Sequence, residues 1–493
     1  MLAYVISSRD IENNIYIPKY YDPELKNELL ALKHSHELLS IGDLLDSNVL
    51  SVQTGHEIGK MAYGTGNIPF VRTSDITNWE IKTIPKQGIS EEVYMQYAEK
   101  EDVQAGDILL VRDGTYLIGT NCIITAMDIP MVFQSHILKF RVNRKEIIDP
   151  YLLFLTFNND LVQRQIRNIQ FTADIIDTIG NRYREIVLPI PQNVEKRDAL
   201  IQQMASALET RMKYKAAVKQ MPLLIERVLD RNSIAPFDEF FGESIEQIMS
   251  ELVQDTTTLE FGEFTAFVLC SSDIQNNIFL PKYYDPSIGA TLSKLSTNCE
   301  LLSVQQMIDR SIITLSTGDE IGKMAYGTGE IPFVRTSDFS NWEIKSDTKQ
   351  GVSEKIYEQY AQKEDVQALD ILLVRDGTYL VGTSCMITEA DTKMLYCGGL
   401  IKIRVLNTDV IDQYCLLGLL NSYIVKRQIR TKQFTRDVID TIGQRFKEVV
   451  IPIPRDSEIK DSISRMVKAI VHNRIEAREA ITTLSKKLTN DSE

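Results

Sequence analysis

The sequence predicts an α+β protein made of two copies of one mixed α/β domain, joined by two long antiparallel helices of coiled-coil type. Three observations support this fold class: an ungapped internal duplication, short strand-like segments separated by glycine turns, and a long amphipathic stretch after each copy. The chain has 493 residues, of which 43 % are hydrophobic and 25 % charged, as in ordinary globular proteins of two to four domains.

The duplication has one constant offset. The segment Gly59–Gly66 recurs letter for letter as Gly322–Gly329, which gives an offset of 322 − 59 = 263 residues. The same offset aligns Ile108–Tyr116 with Ile371–Tyr379. Solenoid repeats are only about 20–50 residues long, so this period indicates a duplicated domain. Further aligned pairs are Lys19–Pro23 and Lys282–Pro286, Ile68–Asp75 and Ile331–Asp338, Ile176–Gly180 and Ile439–Gly443, and Pro189–Pro191 and Pro452–Pro454.

Each copy combines strands with helices. The apolar segments Ile108–Val111 and Ile137–Val142 are typical of strands, and glycines between them mark turns. A helix is expected to begin at Pro150, because Asp149 can cap it and proline is favoured in the first turn.

A long helical stretch follows each Pro-Ile-Pro segment. At 1.5 Å per residue, a helix of about 30 residues spans about 45 Å, and no small domain can bury such an apolar stripe alone. We therefore predict that the two helices pack antiparallel, with one domain at each end. The predicted boundaries are 1–191 for the first domain, 192–231 for the first helix, 232–262 for an acidic connector with a short helix at Glu243–Val253, 263–454 for the second domain and 455–493 for the second helix. The apolar seam consists of Leu200, Met204, Leu208 and Met212 in the first helix, and Ile463, Met466, Ile470, Ile481 and Leu484 in the second.

Composition narrows the classes of function. There is no run of about 18 apolar residues, and the first residues do not form a secretory signal pattern, so a cytoplasmic protein is expected. The six cysteines show no C-x-x-C spacing and predict no metal site. A net charge of −14 argues against a general nucleic-acid coat but is compatible with a locally basic face.

A series of short motifs occurs in the same order in both copies. In the first copy the motifs are Gly66-Asn67-Ile68-Pro69-Phe70, Asp75, Gly106-Asp107-Ile108-Leu109-Leu110, Gly114-Thr115 and Pro189-Ile190-Pro191. The second copy contains the same motifs, except that Leu369 replaces the glycine before Asp370. This series resembles the target-recognition domains of specificity (S) subunits of type I restriction–modification enzymes, and the resemblance covers nearly the whole chain.

The resemblance implies a non-catalytic subunit whose two domains each read half of a bipartite DNA sequence in the major groove. The implied partners are double-stranded DNA, adenine methyltransferase subunits that bind the two seam helices, and, optionally, a motor–nuclease subunit. The methyltransferase would use S-adenosylmethionine, whereas this chain would hold no cofactor and no metal. Because antiparallel helices would invert one copy relative to the other, the two half-sites are expected to form a near-palindrome.

Lysines and arginines bind phosphates and polar groups reach base edges, so such side chains are the candidates for DNA contact. The first candidate cluster is the loop Thr54–Trp79 with its copy Thr317–Trp342. The alternatives are surface charge or a salt bridge for Lys60 and Arg72, and core packing for Trp79. The candidates are Lys60, Tyr63, Thr65, Arg72, Thr73, Ser74, Asn78 and Lys82 in the first copy, and Lys323, Tyr326, Thr328, Arg335, Thr336, Ser337, Asn341 and Lys345 in the second.

Two further clusters follow along the chain. One contains an arginine and a tyrosine at a glycine turn, and its alternative is an Arg112–Asp113 pair that holds the turn. The other begins at Arg164 and includes Gln170-Phe171-Thr172, which is expected between helices, and ordinary exposed helix charge is its alternative. The candidates are Arg112, Tyr116, Arg167 and Gln170 in the first copy, and Arg375, Tyr379, Arg430 and Gln433 in the second.

The copies differ at one polar stretch. By the repeat offset, Gln134 and His136 align with Cys397 and Gly399. Two candidate base-reading side chains of the first copy therefore have no polar counterpart in the second. Such a difference predicts half-sites that are similar but not identical, while neutral change at surface positions remains the alternative.

Two other classes of function remain open. A protein-binding scaffold would suit the acidic charge. A metal-dependent nuclease is suggested by Asp75 followed by Glu80-Ile81-Lys82, although a structural turn at Trp79 also explains this pattern. The chain contains no Asn/Asp-Pro-Pro-Tyr/Phe methyltransferase motif, and Gly55–Met61 departs from a phosphate-binding loop in its spacing and at Met61.

Overall fold

The structure is a computed structural model that describes residues 15–114, 116–173, 176–237, 278–377, 379–436 and 439–490, together with Ile11, Phe267 and Ile274. It divides into two compact units, Met1–Met212 with Arg474–Glu493, and Lys213–Asn473. Each unit holds one copy of the repeated domain and part of both long helices. Most of the predicted connector 232–262, including the helix expected at Glu243–Val253, lies outside the described residues.

The first domain is mixed in helices and strands. Its helices are α1 (Pro23–Ala31), α2 (Ile41–Asp46), α3 (Glu91–Glu101), α4 (Pro150–Phe157) and α5 (Asp160–Ile169), and the long helix α6 (Val194–Arg231) follows. Its strands are β1 (His36–Ser40), β2 (Leu50–Thr54), β3 (Ile68–Val71), β4 (Ile76–Thr77), β5 (Glu80–Ile81), β6 (Gln87–Ile89), β7 (Ile108–Val111), β8 (Asn121–Ile123), β9 (Val132–Phe133), β10 (Ile137–Val142), β11 (Phe171–Ala173), β12 (Ile176–Thr178) and β13 (Val187–Pro191).

These strands form several small sheets. Strands β2, β10, β7 and β8 pair in that order as an antiparallel sheet of four strands. Strands β6, β3 and β9 form a second sheet, in which β3 and β9 run parallel. Strands β1 with β13, β4 with β5, and β11 with β12 make antiparallel pairs.

The second domain repeats this organisation. Its four-stranded and three-stranded sheets have the same strand orders as those of the first domain. Its helices are α7 (Pro286–Leu295), α8 (Val304–Asp309), α9 (Glu354–Glu364), α10 (Gln413–Leu420) and α11 (Tyr423–Lys432), followed by the long helix α12 (Ser457–Lys487). Its strands are β14 (Cys299–Ser303), β15 (Ile313–Thr317), β16 (Ile331–Val334), β17 (Phe339–Ser340), β18 (Glu343–Ile344), β19 (Gly351–Val352), β20 (Ile371–Val374), β21 (Ser384–Met386), β22 (Leu395–Tyr396), β23 (Leu400–Val405), β24 (Phe434–Arg436), β25 (Ile439–Thr441) and β26 (Val450–Pro454).

Two predicted strands and one predicted helix start are confirmed. Strands β7 and β10 occupy the predicted segments, and β7 is fully buried, which explains its continuous apolar run. Helix α4 begins at Pro150, and the Asp149 carboxylate accepts the N–H of Tyr151 at 2.7 Å. With both domains mixed in helices and strands, the predicted fold class is confirmed as well.

The two long helices pack antiparallel in the first unit. Lys196 near the start of α6 donates to the carbonyl of Asn490, while Arg211, later in α6, donates to the carbonyl of Arg474 in α12. The seam residues Leu200, Met204, Leu208, Ile481 and Leu484 are buried in the core of the first domain, Ile463 and Ile470 are fully buried in the second unit, and Met212 and Met466 are half-buried.

The described helices include none with an apolar stretch long enough to cross a membrane.

A buried ionic cluster connects these helices to the first domain. The Glu80 carboxylate lies 2.5 Å from Nη2 of Arg474 and 3.4 Å from Nη2 of Arg211. Both arginines are almost completely buried, at 0 % and 2 % exposure. They occupy equivalent positions in the two repeats, since 474 − 211 = 263. Strand β5 is thereby fixed against both helices.

Buried glutamates lie at equivalent positions at the ends of α3 and α9. Glu101 accepts the N–H of Phe133 and contacts Nδ1 of His56, each at 2.9 Å. Glu364 accepts the N–H of Tyr396, but Asp319 replaces the histidine in this copy. Burial, and to a lesser extent the neighbouring Asp319 charge, raise the pKa of Glu364 to about 7.

Replacing Glu80 by alanine removes the shared counter-charge of two buried arginines. We expect Glu80→Ala to lower the free energy of unfolding by about 3 kcal/mol or more, because removing one partner of a buried ion pair is costly. Urea unfolding of the whole chain, followed by circular dichroism, measures this change. The control is Glu146→Ala, which removes the exposed partner of Arg144 and should leave the unfolding midpoint unchanged. Equal small effects of the two substitutions would contradict the assigned role of Glu80.

The pKa of Glu364 predicts a pH-dependent stability. The folded chain binds this proton up to about pH 7, whereas the ordinary glutamate pKa is 4.5, so the contribution of Glu364 to stability falls as pH rises through that interval. Glu364→Gln stays neutral. The free energy of unfolding of the variant minus that of the original chain should therefore increase by about 3 kcal/mol between pH 4.5 and pH 8.

Denaturant titrations of both proteins at several pH values test this expectation. The matched control is Glu101→Gln, for which we expect a smaller dependence because His56 favours the charged form of Glu101. If the difference in free energy of unfolding between Glu364→Gln and the original chain did not vary with pH, the pKa of Glu364 would be the ordinary glutamate value.

Candidate nucleic-acid interface

Two candidate segments and strand β12 of the first domain meet at the Asp113 carboxylate. Arg112 donates to it from Nη2 at 2.9 Å and from Nε at 3.1 Å, and Nδ1 of His136 lies 2.9 Å away. The hydroxyl of Thr178, at the end of β12, also donates to Asp113. Burial opposes ionisation, but these hydrogen bonds outweigh it and hold the pKa of Asp113 below its ordinary value. The carboxylate thus joins segments that are far apart in the sequence.

The second domain repeats this junction with one substitution. Nη2 of Arg375 donates to Asp376 at 2.7 Å, and Asp376 forms a β-bridge with Thr441. At the position of His136 stands Gly399, where an added Cβ would lie only 2.9 Å from Cγ2 of Thr336. Thr336 therefore occupies space that a larger side chain at this position would need.

Polar side chains on the strand pair β11–β12, and on the residue just before it, bind one another. Gln170 and Thr172 both donate to Asp177, at 2.9 and 2.7 Å, and the backbone of Asp177 accepts the N–H of Gly114 at 2.9 Å. The second and third candidate clusters are therefore adjacent, which the sequence did not indicate. Arg167 is exposed and lies 3.6 Å from Asp160 of the same helix.

The same contacts recur in the second domain. Gln433 donates to Asp440 at 2.8 Å and is only 4 % exposed. Arg430 is exposed and donates to the side chain of Gln433 and to the carbonyl of Tyr379. Tyr379 and its equivalent Tyr116 are exposed at the turn that follows the arginine.

A cleft of about 950 Å³ opens beside Arg375 in the second domain. Arg445 and Lys447 bring further positive charge to its wall, and the Arg445 guanidinium lies 3.9 Å from the centre of the Phe434 ring. Hydroxyls of Thr435 and Thr441 belong to the same lining. This combination of cations, hydroxyl groups and an aromatic ring can bind a phosphate or a base.

The first candidate loop contains a compact turn, Gly59–Gly66, with its copy Gly322–Gly329; we call these the knuckle loops. Lys60 and Lys323 are exposed on them. The Tyr63 ring stacks on Phe70 with centroids 5.7 Å apart. Thr65 is used inside the turn, because its hydroxyl donates to the carbonyl of Ala62 at 2.7 Å. In the copy, Tyr326 stacks on Phe333 and Thr328 donates to Ala325.

Arg72 and Arg335 lead into the next turn and are half-buried. Nε of Arg72 is buried and makes no hydrogen bond among the residues that the structure describes, and Arg335 lies 6.0 Å from the centre of the Tyr326 ring. The neighbouring candidates Thr73, Ser74, Thr336 and Ser337 are half-buried.

Asn78 and Trp79 form the two-residue turn between β4 and β5. Both have positive φ, at 47° and 65°, as a type I′ turn requires, and asparagine tolerates this conformation well. Asn78 is 4 % exposed, and the Trp79 ring donates from Nε1 to Asn158 at 2.8 Å. The core-packing interpretation of Trp79 is therefore supported. Asn341 is 8 % exposed in the equivalent turn, and Lys82 and Lys345 are half-buried beyond it.

The acid pair that suggested a nuclease is engaged inside the fold. Asp75 is fully buried and accepts the backbone N–H groups of Arg72 and Lys86 at 3.0 and 3.2 Å. Burial, the largest effect, raises the pKa of Asp75. Glu80 binds two arginines, so its carboxylate is already neutralised by protein groups. Among the described residues, no group of three acids, histidines or cysteines is placed to hold a metal ion.

Contact geometry distinguishes several of the alternatives for single residues. The Arg112–Asp113 pair exists, as does its copy Arg375–Asp376, so each arginine holds its turn whether or not it also meets DNA. Gln134 is only 7 % exposed and forms a β-bridge with His56. His136 is the more accessible of the two differing side chains.

Sequence reasoning missed two kinds of residue. Asp113 joins more groups than the Arg112 pair that the sequence predicts, and its retention as Asp376 within a basic segment is the signal for it. Met61 and Met324 lie exposed on the knuckle loops and are not among the predicted candidates.

No protein-family model and no curated protein matches the chain. Among solved structures, it is similar to the type I restriction-modification system S subunit from M. genitalium, with 11 % identity, a TM-score of 0.33, and coverage of 93 % of this chain and 97 % of that chain. It is similar to the HsdS subunit from Thermoanaerobacter tengcongensis, with 14 % identity, a TM-score of 0.27, and coverage of 93 % and 96 %. A third similar chain comes from a structure of complex assembly and conformational transition of the type I R-M system. It has 14 % identity and a TM-score of 0.27, and the match covers 92 % of this chain and 96 % of that chain.

Proposed function

We propose that this chain is the non-catalytic DNA-recognition subunit of a type I restriction–modification complex, or of a related anti-phage methylation complex, in the cytoplasm. The observation that carries the proposal is the duplicated junction at Asp113 and Asp376. In both copies of the domain, this aspartate joins the turn that carries the arginine to a polar strand pair. Each copy also contains a knuckle loop. Two such surfaces in one chain suit a bipartite DNA site with two similar halves.

The chemistry is assigned to separate subunits. Adenine methyltransferase subunits with S-adenosylmethionine would modify the site, and a motor–nuclease subunit is an optional further partner. The seam residues are used inside the chain, so a methyltransferase would contact outward side chains of the long helices. Exposed acids such as Glu209, Glu476 and Glu479 lie there and account for part of the net charge of −14.

Arginine removal tests the DNA surface. The double substitution Arg72→Ala and Arg335→Ala should weaken binding at both half-sites. The slope of log affinity against log salt concentration should become shallower by about one for each phosphate that is no longer bound. Fluorescence anisotropy of labelled duplex pools over a salt series measures both quantities.

The matched control is Arg144→Ala with Arg310→Ala, since these arginines are exposed in the two domains and form local ion pairs. Unchanged affinity in the Arg72 and Arg335 variant would remove these residues from the interface. No salt-sensitive DNA binding by the original chain would favour the protein-scaffold alternative.

The symmetry of the target is the second test. Because both domains derive from one duplication, we expect the methylated motif to be a near-palindrome with a spacer. Methylome sequencing of cells that express the chain with its methyltransferase identifies this motif. Two unrelated half-sites would contradict the expectation, and half-sites that differ at one position would agree with the His136 and Gly399 difference.

A further inference from the structure

Met61 and Met324 are the most exposed of the described large apolar side chains, at 92 % and 93 %. They occupy equivalent positions at the tips of the knuckle loops, since 324 − 61 = 263. Building on the DNA-recognition function proposed above, we propose that these methionines contact bases, one in each half-site. The ligand is the apolar part of a base pair, either a thymine methyl group or the face of a base at an opened step.

The knuckle loops are held firmly beneath these tips. The Thr65 hydroxyl donates to the Ala62 carbonyl and accepts the N–H of Ser90 at 3.0 Å, and Gly64 donates to the carbonyl of Gly88 at 2.8 Å. The copy has the same three bonds at Thr328 and Gly327. A side chain on such a support can insert without first ordering its loop, so less entropy is lost on binding.

The chemistry around the tips favours DNA over a protein partner. Protein interfaces bury about 800 Å² on each side around a core of several apolar residues. On the knuckle loop, by contrast, the other exposed residues are Gly59, Lys60, Gly64 and Thr65. One flexible thioether beside one ammonium group fits a groove, where the methionine meets bases and Lys60 meets a phosphate.

Retention in both copies separates these methionines from an ordinary surface methionine. Met95 on α3 is 67 % exposed, but its equivalent in the second copy is Glu358, since 358 − 95 = 263. Met95 is therefore a matched control in the same domain, and alanine at any of these exposed positions leaves the core intact.

The test uses the full chain with its methyltransferase subunit and a labelled duplex that carries the motif found by methylome sequencing. Met61→Ala and Met324→Ala should each weaken binding about tenfold, and the double variant about a hundredfold, because the effects of changes at separate base positions are roughly additive. Each single variant should relax the methylated motif in one half-site only. Met95→Ala should match the original chain in affinity and motif.

Two probes identify the group that is contacted. If the methionine meets a thymine methyl group, uracil in place of that thymine weakens the original chain but not the alanine variant. If it enters a base step, 2-aminopurine at that step brightens on binding to the original chain and stays dim with the variant. Either result supports the proposal.

The proposal is overturned if the original chain binds its motif specifically and the double variant keeps the same affinity and motif. It is also overturned if the double variant loses the methyltransferase subunit while DNA binding by the chain alone is unchanged, because the knuckle loops would then dock a protein. If the original chain shows no sequence-specific binding at all, the proposed function fails, and this inference fails with it.

Discussion

Glu80 connects the first domain to both long helices through one carboxylate. It lies on a strand of two residues, directly after the Asn78–Trp79 turn, and binds Arg474 and Arg211 at 2.5 and 3.4 Å. Each of these charges has lost most of its hydration, so none can move away without a cost of several kcal/mol. The hairpin is therefore fixed in place, and the candidate loop that runs into it is positioned by helices that are distant in the sequence.

The sequence predicted those parts of the fold that depend on local patterns. Strand β7, strand β10 and the start of α4 follow from apolar runs and from a capping aspartate, which act over a few residues. The arginines of the ionic cluster could not be placed in the same way, because arginine is seldom fully buried and the helical seam was defined by apolar side chains alone. Their shared repeat offset was visible, but their common partner was not.

The candidate site was only partly predictable for a related reason. The sequence identified segments rich in polar residues, but their meeting at Asp113 depends on a long-range bridge to Thr178. Several polar residues proved to serve their own turns: Thr65 holds a knuckle loop, and Asn78 supplies a positive φ. Polar residues that stabilise turns and polar residues that meet a ligand have the same composition, so geometry is needed to separate them.

The difference between His136 and Gly399 has an evolutionary consequence. Both positions lie beside an aspartate that is held by a neighbouring arginine, and the side chain at this position differs between the copies. A substitution at such a place alters what one domain presents without disturbing the strands that support it. After a gene duplication, each half of the chain can therefore diverge independently, so that one ancestral domain surface can give rise to many paired combinations.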